Sequence, residues 1–195
     1  MRSGTSARHR LRIRRAALAS NLEWQALPFF IKIVEGGKML SEIYWIPLAG
    51  TPELAIMARP RAGDWLEDEI AHWKNAGVQT VVSLLEDGEV IDLGLEAERS
   101  LCTKSGINFV SFPIPDRGFP DEAAAKDLAE EIAASGNATA IHCRAGIGRS
   151  SIVAALVMMR RGFGPAESLD AIQNARRVPV PDTDEQRRWL LTLDD

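Results

Sequence analysis

Three stretches of the chain, 78–85, 107–114 and 138–142, are apolar or β-branched at most positions rather than at alternate ones, and a pattern of helical period follows each. A strand of that composition needs cover on both faces, and strands separated by helices run parallel. The expected fold is therefore α/β: a central, mostly parallel sheet flanked by helices on both faces. Upstream, 42–48 and 53–57 are short apolar runs separated by Ala49-Gly50-Thr51-Pro52, which reads as a hairpin or two edge strands. Trp65, Leu66, Ile70 and Trp73 recur at helical spacing; Asp64 is the expected N-cap, Glu67 completes a capping box and Gly77 ends the helix. Further helices are expected over 92–105, 121–135, 150–161, 165–177 and 183–193, with Asp121 and Pro165 at two of the starts.

At 195 residues, with 46% hydrophobic and 26% charged residues, the chain has material for one soluble globular domain. The net charge of −4 conceals an asymmetry. Residues 1–38 hold eight basic and two acidic groups (+6), leaving 15 basic and 25 acidic groups (−10) for 39–195 out of the totals of 23 and 27. The expected division is thus a basic, disordered extension over 1–38 and a folded domain over 39–195. Six arginines and no acid in the first 22 residues also fit an organellar transit peptide, or an upstream extension with Met39 as the working start. An acidic domain repels nucleic acid, so none is expected as a partner. No apolar run approaches the roughly eighteen residues of a membrane span. The two cysteines, Cys102 and Cys143, make a disulfide framework unexpected and a reducing, cytoplasmic compartment the expected one.

The stretch that carries chemistry is His142-Cys143-Arg144-Ala145-Gly146-Ile147-Gly148-Arg149-Ser150. It joins the end of an expected buried strand to the start of an apolar helix, where open α/β sheets bind ligands. A helix start offers unpaired N–H groups and the positive end of the dipole. Gly146 and Gly148 allow successive N–H groups of Arg144 to Gly148 to turn inward as an anion nest. Cys143 leads that nest, and the same field favours its thiolate. Arg149 is placed to grip two phosphate oxygens, and Ser150 to donate to the sulfur. Arg144 is expected to point outward. The spacing lacks the lysine of an NTPase P-loop and the third glycine of a dinucleotide fingerprint.

His-Cys-x-x-Gly-x-Gly-Arg-Ser resembles the signature loop of the protein tyrosine phosphatase superfamily, and its flanks are most similar to the dual-specificity branch. The resemblance spans about residues 42–193. It implies the cysteine-phosphatase fold and hydrolysis of phosphate monoesters through a phosphocysteine, without metal or organic cofactor. The implied substrate is a phosphorylated protein. Phosphoinositides or RNA 5′-phosphates are the alternatives on the same fold, as is a phosphate-dependent binding module. Cys143 is then the nucleophile, Arg149 and the amides of Arg144, Ala145, Gly146, Ile147 and Gly148 bind the phosphate, and His142 orders the loop. The resemblance also implies a general acid on a mobile loop after the preceding strand. Asp116, in Phe112-Pro113-Ile114-Pro115-Asp116-Arg117-Gly118-Phe119-Pro120, stands there, while Asp121 suits a helix cap.

Several residues are left open. Cys102 is either a resolving thiol for Cys143 or a small core residue. Arg59 and Arg61 either line a substrate entrance or occupy a solvated turn. His72 reads as a surface or packing residue, and His9 lies in the basic extension. Asp182 stands where tyrosine-specific relatives place a water-orienting glutamine and Gln186 at a more peripheral position, so the hydrolytic water has no assigned partner.

Overall fold

The computed structural model describes residues 40–48 and 53–194. The basic extension over 1–38 and the turn at 49–52 lie outside them. A five-stranded sheet runs through the molecule in the order β1-β2-β5-β3-β4. β1 (Ile43–Ile46) is antiparallel to β2 (Leu54–Ala58), as a hairpin requires. β2, β5 (Thr139–Cys143), β3 (Thr80–Ser83) and β4 (Asn108–Ser111) are mutually parallel. The expected α/β architecture is thus present, with one antiparallel edge strand.

Alternation along the strands divides the core into two layers. Leu54, Ile56, Val82 and Ile141 face α4 (Glu122–Ser135), α5 (Arg149–Arg160), α6 (Pro165–Arg176) and α7 (Asp184–Leu191). Ala55, Met57, Val81 and Ala140 face α1 (Leu66–Asn75) and α3 (Glu98–Lys104). α5 lies deepest: all residues from Arg149 to Met158 are buried, which explains its apolar composition. A helix that is apolar all round must be enclosed.

The structure shortens several expected elements. Asp64 does not cap α1: Gly63–Trp65 forms a 3₁₀ turn, α1 begins at Leu66, and no side chain caps it. Gly63, at φ +62°, starts the turn early, leaving Asp64 inside it rather than before it. The helix expected over 92–105 shortens to α3, and a further helix that the sequence reading did not name, α2 (Asp87–Asp92), precedes it, with Gly94 at φ +66° turning the chain between the two. The strands expected over 78–85 and 107–114 shorten to Thr80–Ser83 and Asn108–Ser111, with flanking residues such as Leu84 and Phe112 still bonding backbone to backbone with a neighbour. The final helix stops at Leu191 and tightens into a 3₁₀ turn.

Asp121 caps α4 as expected, its Oδ1 accepting the Ala124 N–H at 2.9 Å. Gly136, at φ +71°, closes the same helix. Asp121→Ala should destabilise the protein by about 1 kcal/mol, within roughly 0.5–2, in urea titration, and leave the site untouched.

Candidate active site

β5 is the central strand, and its last residue is Cys143. The loop 144–148 then turns directly into α5, so the nucleophile candidate sits at the carboxyl edge of the sheet against a helix start. Gly146 makes the turn possible. Its φ is +68°, and a Cβ there would lie 2.4 Å from the carbonyl carbon and oxygen of Met57. A Cβ on Gly148 would stand 2.9 Å from Cβ of Asp182 and 3.0 Å from Oε1 of Gln186. The loop is therefore pressed between the end of β2 and the segment leading into α7.

Arg176, on α6, braces the loop from outside the cleft. Its Nε donates to the Gly146 carbonyl at 3.1 Å and its Nη2 to the Ala145 carbonyl at 3.3 Å. Its guanidinium lies 4.1 Å over the Tyr44 ring. Holding those carbonyls away leaves the loop N–H groups to face inward. Cys143 is buried, and burial pushes its thiol up. The Ser150 hydroxyl, 3.6 Å from Sγ, and the N–H groups of Ser150, Ile147 and Gly146 outweigh that and hold it below its ordinary value.

Arg149 is 2% exposed. Glu89, on α2, takes its guanidinium end-on, with Nη1 to Oε2 at 2.6 Å and Nη2 to Oε1 at 3.0 Å. Nη1 also donates to the carbonyls of Ile114 at 2.9 Å and Leu84 at 3.3 Å. Burial pushes the Glu89 carboxyl up, but the Arg149 guanidinium and the Glu86 N–H outweigh it and hold Glu89 below its usual range. The remaining edge, Nε and the outer side of Nη2, faces the cleft; Asp116 Oδ1 lies 3.2 Å from Nη2. Arg144, expected to point outward, is half exposed but lies along the rim of the cleft, with Nε 3.4 Å from Glu89.

These groups surround a cleft of about 210 Å³ lined by Cys143, Arg144, Ala145, Ile147, Gly148, Arg149, Asp116, Arg117, Asp182 and Gln186. Asp116 is thus brought to the cysteine loop, while Asp121 is spent on capping. The Asp116 loop is held by α7 and its approach: Gln186 Nε2 donates to the Gly118 carbonyl at 3.1 Å, Arg117 pairs with Asp182 at 3.3 Å, and the Phe119 and Trp189 rings are 5.7 Å apart. Gln186 is buried, and its Oε1 has no protein partner.

His142 points to the opposite face of the sheet, beside Trp73, with Nε2 2.9 Å from the buried carboxylate of Glu98. Cys102 packs in that same layer, whereas Cys143 belongs to the other. The sheet separates the two thiols, which favours the packing role for Cys102. Arg61 is bound to buried Glu69 at 2.8 Å and the Arg59 guanidinium to the Pro60 carbonyl at 3.0 Å; neither lines the cleft. Glu89, Glu98 and Arg176 escaped the sequence reading. Each lies on a separate helix, and only tertiary packing brings it to the loop.

Comparison with known proteins agrees with this geometry. The family model described as "Swiss Army Knife protein, DSP-PTPase phosphatase domain" matches residues 49–193. The chain belongs to that family of dual-specificity-type, protein tyrosine phosphatase domains. Cyclin-dependent kinase inhibitor 3 of Rattus norvegicus is 28% identical over 130 residues, covering 64% of this chain and 61% of that protein, so the chain spans less than two thirds of this relative's length. Among solved structures, kinase associated phosphatase with its catalytic-site cysteine replaced by serine superposes with a TM-score of 0.70 at 24% identity, covering 78% of this chain and 93% of that one. Tk-PTP, in a glycine-to-alanine mutant form, gives 0.60 at 28% identity, covering 77% and 93%.

Two substitutions test the loop. Gly146→Ala should cost roughly 2 kcal/mol or more, from positive φ and overlap with Met57, and should weaken inhibition by inorganic phosphate. Ser150→Ala removes the leading group that lowers the thiol, so the pH midpoint of Cys143 alkylation should move upward.

Proposed function

We propose that this protein hydrolyses phosphate monoesters on phosphoproteins through a phosphocysteine formed on Cys143. The observation that carries the reading is the convergence, on one cleft, of a thiol held below its ordinary value, a buried guanidinium and an exposed carboxylate. The thiolate attacks phosphorus in line with the leaving oxygen. Loop N–H groups and the Nε–Nη2 edge of Arg149 receive the equatorial oxygens, where fixed dipoles contribute most in phosphoryl transfer. The bidentate grip uses that edge, since Glu89 occupies the terminal one.

An arriving phosphate competes with Asp116 for Nη2. Binding thus frees the carboxylate, which takes up a proton from solvent, swings onto the leaving oxygen and donates that proton. In the second half-reaction Asp116 accepts a proton from the water that attacks phosphocysteine, and the sulfur leaves as thiolate beside Ser150. Gln186 is the partner for that water which the sequence left unassigned: the residue lines the cleft, its Oε1 is buried without a partner among the described residues, and its Nε2 is tied to Gly118.

Phosphoprotein substrates are favoured over polyanionic ones by the balance of charge. Arg117, Arg144 and Arg149 on the cleft are matched by Asp182, Glu89 and Asp116, and no lysine lines it among the described residues. The kinase-linked names of the relatives point the same way. The unpaired thiols suit the reducing cytoplasm, and no helix among the described residues is long and apolar enough to cross a membrane.

Asp116→Asn tests the acid. kcat should fall roughly 10²–10⁴-fold on phosphopeptides. The loss should be smaller on an activated aryl phosphate, whose leaving group departs without a proton. Equal loss on both substrates would remove Asp116 from the mechanism. Parallel assay of a phosphoinositide decides the substrate class: turnover exceeding that of phosphopeptides would overturn it.

A further inference from the structure

Glu98, in the first turn of α3, is 2% exposed and does not reach the cleft, so none of the chemistry above employs it. A carboxylate placed in apolar surroundings is costly unless a cation answers it. Its answer is His142, 0% exposed, with Nε2 2.9 Å from Oε1 in an ion-pair approach rather than a well-aligned hydrogen bond. His142 immediately precedes Cys143 in β5, so the carboxylate and imidazole lie on one face of the strand, directly behind the thiol on the other.

The surroundings contain little else that is charged. Met57 and Ser83 flank His142 from β2 and β3 by register, and Trp73 approaches from α1 with ring centroids 6.3 Å apart. Cys102, also on α3, is pushed up to about 12, first by burial and then by the charge of Glu98, and stays a neutral thiol. Burial opposes an imidazolium at His142, but Glu98 beside it and Cys143 next to it outweigh that and hold His142 above its ordinary value. The two ionisable groups acting most strongly on the ring are therefore Glu98 and Cys143.

We propose that Glu98 is a positioning residue for the nucleophile: it fixes the His142 ring beneath the loop and keeps it an imidazolium, so that a positive charge lies behind Cys143. The proposal rests on the reading of Cys143 as nucleophile. Glu98 acts through the ring and lies one contact further from the sulfur, so the positive end of the pair faces the loop. The chain is also sheltered. It lies on the side of the sheet away from α5, where neither substrate nor bulk water reaches it to screen the charge.

The test is the pH dependence of Cys143 alkylation by iodoacetamide, followed by intact mass, in the parent and in Glu98→Gln. Neutral, buried Cys102 stays silent, and Cys143→Ser supplies the blank. In Glu98→Gln the midpoint should rise by about one unit, making the thiol about tenfold less reactive on the acid limb. The acid limb of kcat/KM should move with it. A purely structural role would lower the folded fraction without moving the midpoint, so an unmoved midpoint in folded Glu98→Gln overturns the proposal. Should that variant not fold, NMR titration of His142 in the parent decides: a protonated ring at pH 7 supports the proposal, and a neutral one overturns it. Failure of the underlying nucleophile reading has a different signature, because the parent would then keep turning over after complete alkylation of Cys143.

Discussion

A guanidinium at 2% exposure is an expensive thing to hold, and the surroundings of Arg149 are organised to hold it. Glu89 neutralises its terminal edge, and the Leu84 and Ile114 carbonyls saturate Nη1. Those partners come from α2, from the end of the β3 region and from the segment after β4. One side chain thereby ties two crossovers of the parallel sheet, β3 to β4 and β4 to β5, to the start of α5. At the edge turned to the cleft, Asp116 is the ion-pair partner among the described residues. The architecture thus turns one edge of a buried guanidinium toward the cleft and sets an exposed carboxylate against it.

The loop amides work on the same logic at shorter range. Their carbonyls are held by Arg176, and their N–H groups converge on the sulfur. Gly146 can occupy its place only because it has no Cβ to strike Met57. Pre-set donors of this kind need no reorganisation when charge develops, which is the condition for effective electrostatic stabilisation. Arg176 is itself seated on the Tyr44 ring, so the edge hairpin contributes to the rigidity of a loop far from it in sequence.

How much of this was legible in the sequence depends on whether a residue's role is local. The cysteine loop, its strand and its helix are contiguous, and their chemistry follows from neighbours within a few positions. The parallel sheet followed from strands too apolar to face water. Asp121 was legible as a cap because capping is decided within one turn. By contrast Glu89 lies 60 positions from Arg149, and Glu98 lies 44 before His142. Nothing in their own segments distinguishes them from other glutamates on short helices. The short helix α2 escaped notice and α3 starts later than its apolar spacing suggests, because that spacing runs on past Gly94 while the backbone does not. Gln186 was visible as a residue, but its lining of the cleft required knowing that α7 packs onto the loop.

The most direct test of the account is capture of the covalent intermediate. The Asp116→Asn variant, which should slow hydrolysis of phosphocysteine, is mixed with an activated aryl phosphate, quenched on the millisecond scale and analysed by peptide mass spectrometry. The account predicts a burst of released phenol matched by a phosphoryl group on the sulfur of Cys143. A burst whose phosphoryl group lies on any other residue, or turnover with no covalent species at any quench time, would contradict it.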